Sequence, residues 1–268
     1  MAYTPFVERT FDSGTPGLSA TSEFDDGAAG AVYALTGNYN GTVFVNSTAI
    51  PLNENTFTFG GYLGFPNDLV QGQELWTRVR VKPADAFWAD CFPHLKFLRL
   101  RCESPGGSNT GYADIYINTD GTFKWIREFD GPYTNIFHDF DPSFTITPGT
   151  WQTFEVYHKW SADPTQAIVR FWKDGILVGE IKNIGLSTLL NASDLVKMHL
   201  LFTYWNGEPD YPTVPHTCGI EDIKMASSAS PPEATDAAGN PYIGVESSSG
   251  TFLPAFASGC NQTVGFVP

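Results

Sequence analysis

Basic side chains are concentrated in one stretch of an otherwise acidic chain. The 268 residues carry 15 Lys and Arg against 29 Asp and Glu, a formal net charge of −14. Guanidinium and ammonium groups on one surface can hold carboxylates or sulfates through charge-assisted hydrogen bonds. The alternative is a solvated sheet face with salt bridges. The alternation of side chains changes phase at Phe97-Leu98, so the cations can share one face only if a β-bulge inserts an extra residue there. Six cations make up this cluster: Arg78, Arg80, Lys82, Lys96, Arg99 and Arg101.

Aromatic and imidazole side chains form a second candidate group. Sugar rings stack on aromatic planes, and neighbouring polar groups read their hydroxyls. In an elimination on a uronate, a Tyr or His would take a proton and an Arg would neutralise the carboxylate. The competing interpretation is that these side chains belong to the hydrophobic core or cover the surface of a sheet. His199 is expected to lie on the same face of its strand as Lys197. The group consists of Tyr112, Tyr116, His158, Arg170, Trp172, His199, Tyr204 and Trp205.

The segment 204–211, Tyr-Trp-Asn-Gly-Glu-Pro-Asp-Tyr, is a third candidate. It is rich in groups that bind sugar, and loops often carry binding functions. A structural turn is the alternative. Taken together, the residues predicted to bind glycan are Arg78, Arg80, Lys96, Trp172, Tyr204, Trp205 and Asn206.

Period-two alternation predicts that β-strands position these residues. The turn Asn118-Thr119-Asp120-Gly121 predicts a hairpin between two of them, and Asp174-Gly175 predicts a second. No segment shows helical periodicity over three turns, although short helical pieces are considered near 66–71 and 185–194. Strands are predicted at 74–82, 112–118, 122–129, 151–160, 167–181, 195–205 and 219–225.

Composition divides the chain into four parts. Small, polar and Pro-bearing residues after Met225 indicate a linker, and the tail beyond it regains apolar residues. We therefore expect N-terminal strands and loops at 1–55 that complete a β-strand core at 56–225, a linker at 226–241 and a docked or assembly arm at 242–268.

The order of these pieces resembles the concanavalin A-like lectin/glucanase superfamily, in particular its laminin-G-like and polysaccharide-lyase-like jelly rolls. The resemblance covers about Thr56 to Met225 and implies an all-β sandwich of two antiparallel sheets with N- and C-terminal extensions. Such a likeness is more specific for fold than for function. The sequences that carry it are GGYLGFPNDLVQGQELWTRVRVKP, HLKFLRLRCES, YADIYINTDGTFKWIREF, WQTFEVYHKW with AIVRFWKDGILVGEI, and LLFTYWNGEP followed by GIEDIKM.

Two catalytic signatures of this superfamily can be compared with the chain. The Glu-x-Asp-x-x-Glu run of its retaining glucanases, whose carboxyl groups must lie about 5 Å apart, is missing, and Glu23-Phe24-Asp25-Asp26 is the nearest match. Alginate-lyase-like members carry Gln-(Ile/Val)-His where this chain reads Phe92-Pro93-His94. A hydrolase is thus disfavoured. The residues expected to act in a lyase are Tyr112, Tyr116, His94, His158, His199 and Arg170.

The resemblance also implies a structural Ca²⁺, because such domains often hold one at a loop between the sheets. Calcium takes six to eight oxygen ligands. No other cofactor is required. The carboxylates expected to bind the metal are Asp25, Asp26, Glu221 and Asp222.

Charge and cysteine pattern exclude other classes. A negative chain is repelled by duplex DNA and by anionic membranes, and no run approaches the roughly 20 apolar residues of a membrane helix. No secretory leader is visible, and a virion or extracellular surface is the suspected location. Without a C-x-x-C pair, free buried thiols are favoured over a zinc site. The four cysteines are Cys91, Cys102, Cys218 and Cys260.

Three functions are compatible with these observations. The main prediction is a glycan-binding jelly roll, such as a capsid decoration or tail-fibre component of a virion, because no complete catalytic signature is present. The alternative is a polysaccharide lyase that cleaves an acidic polysaccharide by β-elimination. The second alternative is a structural assembly protein whose homo-oligomeric or virion partner binds residues 242–268.

Overall fold

A computed structural model of the protein describes residues 4–11, 15, 18, 23–25, 31–36, 39–47, 62–90, 94–129, 135–201, 216–246 and 252–253. Within these residues the regular secondary structure is almost entirely β-strand. The strands are β1 (Val7–Arg9), β2 (Ala31–Thr36), β3 (Tyr39–Ser47), β4 (Tyr62–Leu69), β5 (Glu74–Pro83), β6 (His94–Glu103), β7 (Asn109–Asn118), β8 (Phe123–Phe129), β9 (Ile136–Asp139), β10 (Gln152–Lys159), β11 (Ile168–Lys173), β12 (Ile176–Lys182), β13 (Leu195–Leu201), β14 (His216–Ser227), β15 (Val245–Glu246) and β16 (Phe252–Leu253).

Two antiparallel sheets carry the fold. The eight-stranded sheet has the order β12-β11-β10-β5-β14-β3-β2, with β1 also paired to β14, and the six-stranded sheet has the order β4-β13-β6-β7-β8-β9. Strands β15 and β16 pair separately. The predicted jelly-roll sandwich of two antiparallel sheets is confirmed.

The core lies between the sheets, as the alternation requires. Leu75, Val79 and Val81, at alternating positions of the predicted strand 74–82, are fully buried in this core. Across the sandwich, the Phe97 ring of β6 meets the Phe154 ring of β10 edge-on, with centroids 5.1 Å apart. Interdigitated apolar side chains of this kind hold two packed sheets together.

Both predicted hairpin turns are present. Gly121 closes the β7–β8 turn with φ of 85°, and its amide donates to the Asn118 carbonyl at 2.9 Å. Asp174 and Gly175 connect β11 to β12 with φ values of 50° and 80°. Two consecutive positive φ angles are typical of the tight turn that matches strand twist.

No helix forms at 66–71 or 185–194. Residues 66–69 belong to β4, and 185–194 consist of bends and turns, while a 3-10 helix at Phe87–Asp90 links β5 to β6. Among the described residues no helix is long and apolar enough to cross a membrane. Cys102 and Cys218 are buried free thiols, and Cys91 and Cys260 lie outside the described residues.

Residues 234–244, here called the C-terminal strap, lie across the outer face of the eight-stranded sheet. Strand β14 runs to Ser227, two residues into the segment predicted as a linker. Tyr242 and Ile243 are each only 1% exposed, and they pack with Trp76 and Trp172 of the sheet. The strap therefore covers a second, smaller apolar cluster outside the main core.

Candidate functional site

A β-bulge in β6 brings two of the predicted cations onto one face. The β6–β7 register pairs Lys96 with Tyr116 and Arg99 with Asp114, with a shift between Lys96 and Leu98. Because side chains alternate along a strand, residues 96 and 99 would lie on opposite faces without this extra residue. The bulge that the common face requires is thus present at the expected place. We call the resulting surface the outer face of the six-stranded sheet.

Arg99 is the centre of a buried ionic network on this face. Its Nε donates to the two Asp114 carboxylate oxygens at 3.3 and 3.1 Å, and its Nη2 donates to Glu128 Oε2 at 3.0 Å. The guanidinium carbon lies 3.6 Å from the centre of the Tyr112 ring. Arg99 and Asp114 are fully buried, so this pair is well shielded from water.

Glu128 connects Arg99 to a second cation and to a tyrosine. Its carboxylate lies 3.2 Å from Lys96 Nζ, and it accepts a 2.6 Å hydrogen bond from the Tyr116 hydroxyl. Burial alone would raise the pKa of Glu128, but Arg99 and Lys96 lower it below the ordinary value. Glu128 is therefore an anion that holds both cations in place.

The two other acids of the network titrate differently. Burial raises the pKa of Asp114 to about 7, although Arg99 beside it acts in the opposite direction. Burial, followed by the charge of Asp114, raises the pKa of Tyr116 well above its usual value. Tyr116 consequently keeps its proton at neutral pH and acts as a hydrogen-bond donor.

His94 lies at the end of β6 against this network. Its ring is tilted by 32° on the Tyr116 ring with centroids 4.3 Å apart. Within the described part of the chain, its buried Nδ1 has no hydrogen-bond partner. Burial, and then the charges of Lys124 and Lys96, lower its pKa to about 3. His94 is therefore a neutral imidazole beside two ammonium groups.

The other predicted glycan-binding cations are placed on the opposite sheet. Arg78 is buried, pairs with Asp222 and donates to the Gly244 carbonyl at 2.8 Å. Arg80 pairs with Glu221 at 3.2 Å. The structure therefore separates Arg78 and Arg80 from Lys96 by the thickness of the sandwich, because β5 and β6 belong to different sheets.

Trp172 and Arg170 also belong to the eight-stranded sheet. The Trp172 indole is fully buried and donates to Asp236 of the strap at 2.9 Å. Arg170 pairs with Glu180 and lies 5.1 Å from the centre of the Tyr157 ring. Neither side chain joins the network around Arg99.

His158 and His199 lie in the interior and not on a face. The Trp125 indole of the six-stranded sheet donates to His158 Nε2 of the other sheet at 3.2 Å, which places His158 between them. A register shift between Val196 and Met198 in β13 turns His199 inward, whereas Lys197 pairs with Asp68. Both imidazoles are fully buried, and burial lowers the pKa of each to about 3.

The three predicted metal ligands that the structure describes are not brought together. Glu221 and Asp222 are engaged by Arg80 and Arg78, and Asp25 accepts a hydrogen bond from the Gly64 amide at 2.6 Å. Asp26 lies outside the described residues, as do Tyr204, Trp205 and Asn206. In the part of the chain that the structure describes, no group of three His, Cys, Asp or Glu side chains could hold a metal ion.

Sequence reasoning did not select the two acids that organise the site. Asp114 alternates with Tyr112 and Tyr116 on one side of β7, but only the two tyrosines were selected. A usable signal was the hairpin register, since the turn at 118–121 sets Glu128 opposite Tyr112. Two carboxylates on a face that also carries Arg99 indicate an ion-paired network rather than free cations.

Comparisons with known proteins reveal structural relatives only. No family model and no curated sequence matches the chain. An endo-β-1,4-glucuronan lyase from the fungus Trichoderma reesei has a TM-score of 0.59 at 12% identity, over 83% of this chain and 95% of that one.

Two further relatives have similar architecture. An alginate lyase from Aplysia kurodai has a TM-score of 0.60 at 8% identity, over 83% of this chain and 99% of that one. An alginate lyase from a Chlorella virus has a TM-score of 0.51 at 11% identity, over 84% and 92%. At such low identity the likeness concerns fold and not activity. The chain thus shares the jelly-roll sandwich fold of these polysaccharide lyases.

Proposed function

We propose that the protein is a polysaccharide lyase that cleaves an acidic polysaccharide by β-elimination. The observation that carries the proposal is the outer face of the six-stranded sheet, where a neutral imidazole, a tyrosine and several ammonium or guanidinium groups meet. The glucuronan and alginate lyases that share the fold support this class of substrate. This proposal reverses the order of preference drawn from sequence, in which binding without cleavage came first.

The proposed chemistry needs a base, a cation and a proton for the leaving group. The base removes the proton from the carbon next to the uronate carboxyl, that electron pair forms a C=C bond, and the bond to the glycosidic oxygen breaks. The departing oxygen takes up a proton, so one hydroxyl end and one unsaturated end result. A cation at the carboxylate stabilises the charge that develops in the transition state.

His94 is our candidate for the base and Lys124 for the cation. His94 is neutral and partly buried, and its buried Nδ1 has no hydrogen-bond partner among the described residues. Its low pKa makes it a weak base in the empty site, but a bound uronate would favour the protonated imidazole and so raise that pKa. Tyr116 is our candidate positioning residue, because its ring lies against both His94 and Lys96.

The test is a cleavage assay that follows the ultraviolet absorbance of the unsaturated product. We expect cleavage of alginate, glucuronan or a related polyuronide and none of a neutral glucan. His94→Gln should lower kcat by about 10²–10⁴-fold, the range for loss of a general base. His138→Gln, at a half-buried histidine on β9, is the matched control. Absence of product with every polyuronide would remove the lyase proposal.

The second candidate is glycan binding without cleavage. It is favoured by the engagement of Lys96 and Arg99 with Glu128 and Asp114, which leaves a face that is organised but electrostatically balanced. Affinity for an acidic oligosaccharide together with no product would select it. The virion role, the assembly partner, the surface location and the bound Ca²⁺ stay predictions from the sequence.

A further inference from the structure

One edge of the outer face carries an exposed aromatic ring. Phe137, on edge strand β9, is 55% exposed. The registers align it with Ile126 on β8, which is opposite Asp114 on β7, which in turn is opposite Arg99 on β6. Residues directly opposite one another in an antiparallel sheet point to the same side. Phe137 therefore belongs to the same face as the network, three strands from Arg99.

Lys124 lies between this ring and the network. Its Nζ is 5.9 Å from the centre of the Phe137 ring. In the register it is flanked by Tyr116 on one side and by Asp139, an exposed carboxylate, on the other. The described residues provide no ion pair or hydrogen bond to the Lys124 ammonium, in contrast to Lys96.

We infer that Phe137 and Asp139 form an outer subsite that binds the sugar unit next to the one held by Lys124. The inference rests on the proposed function and adds a direction to it, because the polysaccharide would run across the strands toward β9. The ring would stack on the apolar face of a pyranose, and Asp139 would accept a hydrogen bond from a sugar hydroxyl.

Three features select a sugar as the occupant. A single exposed aromatic residue is ordinary by itself, but Phe137 adjoins the Lys124 ammonium, which has no ion-pair partner among the described residues. Phe137 also lies on the same face as the candidate site. Strands are spaced about 4.8 Å apart, so the distance from β9 to β6 is about 14 Å. That length exceeds one sugar ring and suits an oligosaccharide.

The experiment compares substrates of different length on Phe137→Ala. We expect KM, or Kd if the protein only binds, to rise about three- to tenfold for long oligouronides, as loss of one aromatic contact implies. The shortest cleaved or bound oligouronide should be unaffected, and kcat on it should not change. Phe137→Trp should restore affinity. Ile176→Ala is the matched control, because Ile176 is 53% exposed on the other sheet.

The outcomes separate this inference from the proposed function. Cleavage that does not depend on Phe137 at any chain length would overturn the subsite and leave the lyase proposal intact. A length-dependent loss of affinity in a protein that releases no product would support the subsite and overturn the lyase. A protein that neither binds nor cleaves polyuronides would overturn both.

Discussion

The two outer faces of the sandwich carry similar types of residue, but these residues have different kinds of binding partner. On the eight-stranded sheet, Arg78, Trp172 and Glu155 are all bound by the C-terminal strap, largely through backbone groups. On the outer face of the six-stranded sheet, Lys96 and Arg99 are bound by side chains of the same face. The first face is closed by the chain itself, whereas the second leaves Lys124 and Phe137 at its edge. Residue type alone therefore does not identify a binding face; the kind of partner does.

The largest expected effect comes from opening the closed face. Tyr242→Ala should lower the free energy of unfolding by about 3–5 kcal/mol, as for other buried aromatic residues replaced by alanine. The strap would lose its main apolar contact with Trp76 and Trp172. Urea denaturation measures the change, with Phe137→Ala on the other face as the exposed control. A loss below about 1 kcal/mol would mean that the strap is not part of the cooperative fold.

The second effect concerns the ionic network of the other face. Arg99→Met should cost about 3 kcal/mol, because it leaves the buried Asp114 and Glu128 carboxyl groups without their shared partner. Adding Asp114→Leu should recover most of that loss, since an apolar pair of similar volume can replace a buried ion pair. Denaturation of the single and double variants tests this coupling. Additive losses would contradict a network made of side chains alone.

The third effect is a difference in pH dependence on the closed face. Glu155 accepts hydrogen bonds from the Ile243 and Gly244 amides at 2.6 and 3.1 Å. Burial raises its pKa to about 7 against the ordinary value of 4.5, in spite of those amides. Between these pH values the folded protein keeps a proton that the unfolded chain releases. The stabilising contribution is thus complete below pH 4.5 and is lost as pH rises to about 7.

Glu155→Gln should remove that pH dependence. Between pH 5 and pH 8, the unfolding free energy of this variant should fall by on the order of 2 kcal/mol less than that of the unchanged protein. Contributions of Asp114, His158 and His199 are common to both proteins and cancel in the comparison. Denaturation at several pH values provides the measurement. Parallel curves for the two proteins would contradict a buried, proton-binding Glu155.

Local patterns predicted the strands well, because alternation and Asp-Gly turns depend on neighbours in sequence. The β5 core face and both hairpins follow from such patterns. The position of His199 did not, because a register shift at Val196–Met198 reverses the alternation. The bulge of β6 could be expected from the phase change at Phe97-Leu98, whereas the sequence around Val196 carries no comparable mark.

The candidate site was predictable in part. Lys96, Tyr112, Tyr116 and His94 were selected from residue type and resemblance, and the structure brings them together. Asp114 and Glu128 were missed, because their roles depend on pairing across three strands. The strap's contacts were not foreseen, since Glu155 and Arg78 are bound by backbone groups, which carry no sequence signal.

The most direct test of which face acts is a crystal structure with a short oligouronide bound. We expect the sugar on the outer face of the six-stranded sheet, with a carboxylate within hydrogen-bond distance of Lys124 Nζ and a pyranose ring over Phe137. An oligouronide bound instead beside Arg170 on the eight-stranded sheet, or no bound sugar at a concentration that saturates binding in solution, would contradict the account.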